Sequence, residues 1–141
     1  MVDIDVIYEG GLHCAATHEP SAAKLATDAP VDNHGRGESF SPTDLVATGL
    51  GTCMATVMGI LARSKQWNLD GSRIHVKKEM TKTGPRRIAR LPVRIEFANT
   101  TSGLDGEARS ALEHAANTCP VRLSIHEAID VPVEFVWPAK G

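Results

Sequence analysis

The stretch from Ser41 to Arg63, SPTDLVATGLGTCMATVMGILAR, limits what this chain can fold into more than any other. Ser41 has the chemistry of an N-cap, Pro42 suits the first helical position, and Asp44 falls in the first turn, where exposed backbone N–H groups favour a carboxylate. No charged residue occurs from Leu45 to Ala62, and Arg63 arrives where the last carbonyls favour a cation. Leu45, Val46, Leu50, Met54, Val57, Met58, Ile60 and Leu61 point in several directions on such a helix. It therefore has no polar face and needs cover all round, from protein or from lipid. Its length approaches that of a membrane span. Glycines at 49, 51 and 59 and threonines at 48, 52 and 56 dilute its hydrophobicity, and the rest of the chain is mixed and charged. That is the pattern of a core helix rather than of a span, with small residues that let other backbones approach closely. Cys53 stands at its centre.

The other 118 positions narrow the cover. A chain of 141 residues is expected to form one domain, 1–141, with a real core. A formal charge of −2 leaves no basic footprint for nucleic acid, and 4% aromatic residues leave few stacking platforms for single strands. The start, MVDIDVIYEGG, is acidic and reads as a strand rather than a signal peptide, so no membrane partner is expected. Three cysteines without close pairing argue against a secreted disulfide scaffold, which makes the cytoplasm the expected compartment.

Val2–Tyr8 alternates apolar and acidic residues as an edge-type strand; Glu9-Gly10-Gly11 turns it, and Leu12–Thr17 returns as its hairpin partner. A third short strand is expected around Lys24–Asp28, then a turn-rich surface loop, APVDNHGRGESF, from Ala29 to Phe40. After the long helix, Asn68 and Asp70-Gly71 turn the chain into a strand over Ile74–Met80. A longer strand follows over Ile88–Phe97. Leu104–Thr118 is an amphipathic helix with Leu104, Ala108, Ala111, Leu112 and Ala115 on one stripe. Cys119-Pro120 breaks it, Val121–Glu127 reads as a short helix, and Val131–Trp137 as a last strand. The fold class is α+β. One sheet covers only one face of a helix that is apolar all round, so a second subunit is the simplest remaining cover.

Few residues offer chemistry. The six histidines are scattered without metal-ligand spacing, and no phosphate-binding glycine loop or GxSxG motif occurs; neither cofactor nor metal is expected. GRGES at 35–39 sets Arg36 and Glu38 ahead of the helix, either as a solvated loop or as a guanidinium held near a thiol. Cys53 and Cys119 each read as a small packed residue or as a reactive thiol, and Cys14 as a strand core residue.

SPTDLVATGLGTC and TCPVRLSI together resemble the OsmC/Ohr family, the order of elements agrees across nearly the whole chain, and VPVEFVWP resembles a subgroup of OsmC-like proteins. The resemblance implies antiparallel sheets packed around a long central helix in an intertwined homodimer, with two thiol sites at the subunit interface. It implies a thiol-dependent reductase of organic hydroperoxides, in oxidative or osmotic stress defence: Cys53 attacks the hydroperoxide, Cys119 resolves it, and an external dithiol restores the pair. A non-catalytic small-molecule-binding homodimer on the same fold is the alternative. In the family's peroxidases an early-strand arginine and a first-turn glutamate activate the thiol. Here Thr43 stands at the glutamate's position and no arginine precedes Arg36, so the pair is expected from Arg36 with Glu38 or Asp44, or from Arg86 or Arg87 of the other subunit.

Overall fold

In a computed structural model, which describes residues 1–140, the chain forms two compact units, Met1–Val46 and a second from Ala47 onward. The first unit is a meander of β1 (Ile4–Gly10), β2 (His13–His18) and β3 (Ala23–Asp28), antiparallel throughout. Gly10, Gly11 and Leu12 turn β1 into β2 at φ of 87°, 61° and 61°. Two of these are glycines, for which the left-handed region carries no steric penalty, whereas Leu12 has a Cβ to accommodate. Its carbonyl accepts the Ala29 N–H at 3.1 Å, a bond that ties down the strained turn. A loop from 29 to 41 holds one 3-10 turn, Val31–Asn33, and leads into α1 (Pro42–Lys65).

The start of α1 is where the sequence puts it. The Ser41 N–H donates to Asp44 Oδ2 at 2.9 Å and the Asp44 N–H donates to Ser41 Oγ at 3.1 Å, a reciprocal capping box. The far end runs two residues past Arg63. Gln66 takes a left-handed φ of 59°, the Trp67 N–H reaches back to Ala62 O at 2.8 Å, and the helix closes without a glycine. Asn68 then forms the expected turn, its Oδ1 accepting the Asp70 N–H at 2.8 Å.

The second unit holds β4 (Arg73–Val76), β5 (Glu79–Met80), β6 (Ile88–Arg90), β7 (Val93–Glu96), α2 (Gly106–Asn117), α3 (Pro120–Ser124) and β8 (Val133–Val136). The expected α+β class with antiparallel sheets is found, with one parallel pairing, β7 to β8, in the sheet ordered β4-β7-β8; β5 and β6 pair separately. The single strand expected over Ile88–Phe97 is two. Pro92 has no N–H to give a ladder, so β6 ends at Arg90 and the chain moves to the other sheet, with Leu91 N–H bonded to Asp130 O at 2.8 Å. Ile74–Met80 is likewise divided into β4 and β5.

Leu50, Met54, Met58 and Ala62 of α1 pack with Leu91, Val93, Ile95 and Phe97 of the strands and with Leu112 and Ala116 of α2 in one core. Gly51 is part of that contact, since a Cβ there would lie 2.9 Å from Val76 Cγ2. The all-round burial expected for α1 is not met within one chain. Its buried residues form a single stripe at helical spacing, while Ile60 is 65% exposed and nothing stands within 4 Å of a Cβ built on Gly49 or Gly59. One sheet and one neighbouring helix can cover only the side that faces them. α1 is long and apolar enough to cross a membrane, with mean hydropathy 1.8 over its most apolar 18 residues.

Candidate functional site: a two-thiol site at the start of a short helix

Two elements far apart in sequence meet here. Cys53 lies beside Met54 of the buried stripe, so its thiol is half-buried at the edge of the core. The other side comes from the break between α2 and α3. Thr118 leaves helical geometry, and Cys119 adopts an extended conformation, φ −66° and ψ 149°, as the N-cap of α3, with Pro120 in the first turn, where its missing N–H costs nothing. Cys119 Sγ takes the part usually played by a serine or aspartate oxygen and accepts the Arg122 N–H at 3.3 Å. The Val121 N–H donates to Cys53 Sγ at 3.5 Å. Neighbouring amides of one turn thus address both sulfurs.

Cys119 is fully buried, at 0% exposure. Burial pushes its thiol above the ordinary range, because the thiolate loses water that apolar neighbours do not replace. The Arg122 amide pulls the other way, and the adjacent Cys53 adds to the rise. Cys119 is therefore held as a neutral thiol. The half-buried Cys53 keeps an amide donor and partial access to solvent; Val121, whose amide it accepts, and Val57, one turn along α1, pack against the same core. Chemically, the arrangement offers an approachable sulfur next to a buried protonated one, which suits attack at the first and condensation with the second.

The structure brings Cys53 and Cys119 together within the second unit. Arg36 and Glu38 belong to the first unit, both exposed on the 29–41 loop. The Arg36 guanidinium lies over the β1–β2 turn, with Nη2 3.7 Å from the position of a Cβ on Gly11. Asp44, a candidate partner for the arginine, receives the Ser41 N–H in the capping box, and the Thr43 hydroxyl meets Ser41 Oγ at 3.2 Å. Arg87 donates through Nη1 to the carbonyl of Ile88 at 3.0 Å. Cys14 is a half-buried β2 residue between Tyr8 and Thr27, in the first unit. Among the described residues no group of three or more His, Cys, Asp or Glu could hold a metal ion. The amides of Val121 and Arg122 escaped the sequence reading. Cys119-Pro120 carried half the signal, a cap followed by a proline at N1, but which second sulfur those amides face is a matter of tertiary contact.

A paired-thiol site between a core helix and a capped short helix, on an α+β fold, defines the class of protein. Residues 35–134 match the OsmC-like protein family, and the chain belongs to that family. A Psychrobacter arcticus protein named for an osmotic stress induced and detoxification response is 41% identical, with a TM-score of 0.88 and 96% of each chain covered. An organic hydroperoxide resistance protein OsmC from Legionella pneumophila is similar at 18% identity, a TM-score of 0.74 and 96% of each chain. The organic hydroperoxide resistance protein OhrB of Bacillus subtilis is similar at 19% identity and a TM-score of 0.69, over 96% of this chain and 97% of that one. These last two likenesses are of fold. Among curated protein sequences, none matches this chain.

Proposed function

We propose that this chain is a thiol-dependent reductase of organic hydroperoxides that serves in stress defence. The observation that carries the reading is the meeting of Cys53 and Cys119 at one turn, with the Val121 and Arg122 amides on their sulfurs. In the first step the Cys53 thiolate attacks the distal oxygen of ROOH. The O–O bond breaks, the alkoxide takes a proton and leaves as ROH, and Cys53 becomes a sulfenic acid. The Cys119 sulfur then attacks the Cys53 sulfur. The S–O bond breaks, water leaves with the Cys119 proton, and a 53–119 disulfide forms. An external dithiol restores both thiols by exchange and is itself oxidised to a disulfide. Apolar neighbours at Val57 and Val121 favour an organic R group over hydrogen peroxide. Arg36, with Glu38, is the cation we assign to stabilising the Cys53 thiolate.

The protein works as a homodimer in the cytoplasm, on this reading. Only one third of the most apolar stretch of α1 is fully buried in the single chain, and a second copy is the cover of matching chemistry. The test is hydroperoxide consumption by purified protein with several dithiols, one of them lipoylated. Turnover should be abolished by Cys53→Ser, while Cys119→Ser should stop at a sulfenic acid that a dimedone-type reagent traps. Peptide mapping should find a 53–119 disulfide with Cys14 free. A 14–53 or 14–119 linkage, or three unmodified thiols, would overturn the assignment.

A further inference from the structure

The first unit contains a buried carboxylate that the thiol chemistry does not use. Asp28, at the end of β3, is 3% exposed. His13 Nδ1 on β2 stands 2.6 Å from its Oδ1, and Ser39 Oγ shares its proton between the Asp28 Oδ2 at 3.4 Å and the Ala26 carbonyl at 3.2 Å. The other ring nitrogen of His13 faces Glu9 on β1, with Nε2 3.6 Å from Oε1. One of the Asp28 partners, Ser39, thus lies in the loop that carries Arg36. That loop is compact. The Asp28 N–H bonds Phe40 O at 3.1 Å and joins its ends, and the Gly37 N–H reaches Ala29 O at 3.3 Å. At Gly35 it folds back so tightly that a Cβ would lie 1.7 Å from the Ala29 carbonyl oxygen. Closed ends and internal packing make this an Ω-loop with a defined conformation.

We propose that Asp28, held by His13, is a positioning residue: a latch that fixes the Ω-loop and with it the Arg36 guanidinium over the Gly10–Leu12 turn. A carboxylate this buried is costly unless donors surround it. An apolar residue here would seal the same space, yet it could not accept hydrogen bonds from both β2 and the returning loop. The donors to Asp28, His13 from β2 and Ser39 from the loop, therefore set the direction of the loop as well as its closure. Arg36 itself is held by no long-range ion pair within the first unit, so its place follows from the backbone that Asp28 anchors. The catalytic consequence rests on the hydroperoxide reading above, in which Arg36 stabilises the Cys53 thiolate; the latch does not.

Two readouts separate these. Trypsin cuts after Arg36 only when the loop opens, so native-state cleavage of the Arg36–Gly37 bond reports the latch without any turnover. Asp28→Asn should speed that cleavage about tenfold, as the loss of a charge-assisted bond implies, and Ser39→Ala should speed it less. His13→Gln provides a second variant if Asp28→Asn fails to fold. Cleavage unchanged in His13→Gln and in folded Asp28→Asn overturns the latch. In the same variants the acid limb of hydroperoxide consumption should move up by about one pH unit, because a displaced cation leaves the thiolate less stabilised. A merely structural role would lower the rate without moving that limb, and faster cleavage with an unmoved limb overturns the positioning role. Should the wild type consume no hydroperoxide, the reaction reading fails while the cleavage ratio still decides the latch.

Discussion

The two units place their apolar residues differently. In the second, α1, the β4-β7-β8 sheet and α2 enclose a continuous core, and Cys119 is sealed within it. In the first, β1 exposes Ile4, Val6, Ile7 and Tyr8, each between 59% and 64%, from both faces of the strand. The alternation of Val2–Tyr8, which reads as one buried and one wet side, gives no buried side within this chain. What the first unit buries instead is polar: Asp28 and Ser41, each with hydrogen-bond partners. One region is held by apolar packing and the other by directional bonds, with apolar side chains of β1 left exposed within this chain. A core tolerates polarity badly and geometry loosely; a hydrogen-bonded loop does the reverse.

Perturbing the core should have the largest effect on stability. Leu50→Ala removes a fully buried side chain and should cost about 2–5 kcal/mol, depending on how far the site collapses, read from urea unfolding. Gly51→Leu should cost roughly 1–3 kcal/mol by overpacking against Val76 and Ile74, whereas Gly49→Leu, which meets nothing within the chain, should cost little in a monomer and more in a dimer. Unfolding measured across protein concentration distinguishes the two cases. Ser41→Ala breaks the capping box and should cost about 1 kcal/mol with little loss of core protection in hydrogen exchange.

The smallest effects should be of opposite sign in pH. The Asp28 carboxyl is held below its usual range, first by the His13 hydrogen bond, so its contribution is present above the unfolded value and is lost as pH falls through the folded one. Cys119 is raised by burial, so its contribution is present below the unfolded value and is lost as pH rises through the folded one. Under reducing conditions, Asp28→Asn should flatten the acid side of the stability profile, below about pH 4, and Cys119→Ser the alkaline side, above about pH 8.5. If either substitution flattens the opposite limb, the contrast between the units is wrong.

Local chemistry made much of this legible in the linear chain. The cap and first turn of α1, the Asn68 turn, the amphipathic stripe of α2 and the Cys119-Pro120 break all depend on neighbours within four residues, and each appears where the residues call for it. The pairing of Cys53 with Cys119 was readable only through family resemblance, since the spacing itself carries no geometry. Other features depend on partners distant in sequence. Pro92 can end a ladder by lacking an N–H, but that β6 and β7 then join different sheets, and that β8 runs parallel to β7, depends on where the chain returns. The latch on Asp28 joins residues from 13, 28 and 39, and the amide on Cys53 comes from Val121. Apolar pattern states that α1 must be covered, since hydrophobic burial has no direction. Which face one chain covers, and which it leaves bare, is settled by packing among elements that the pattern does not orient.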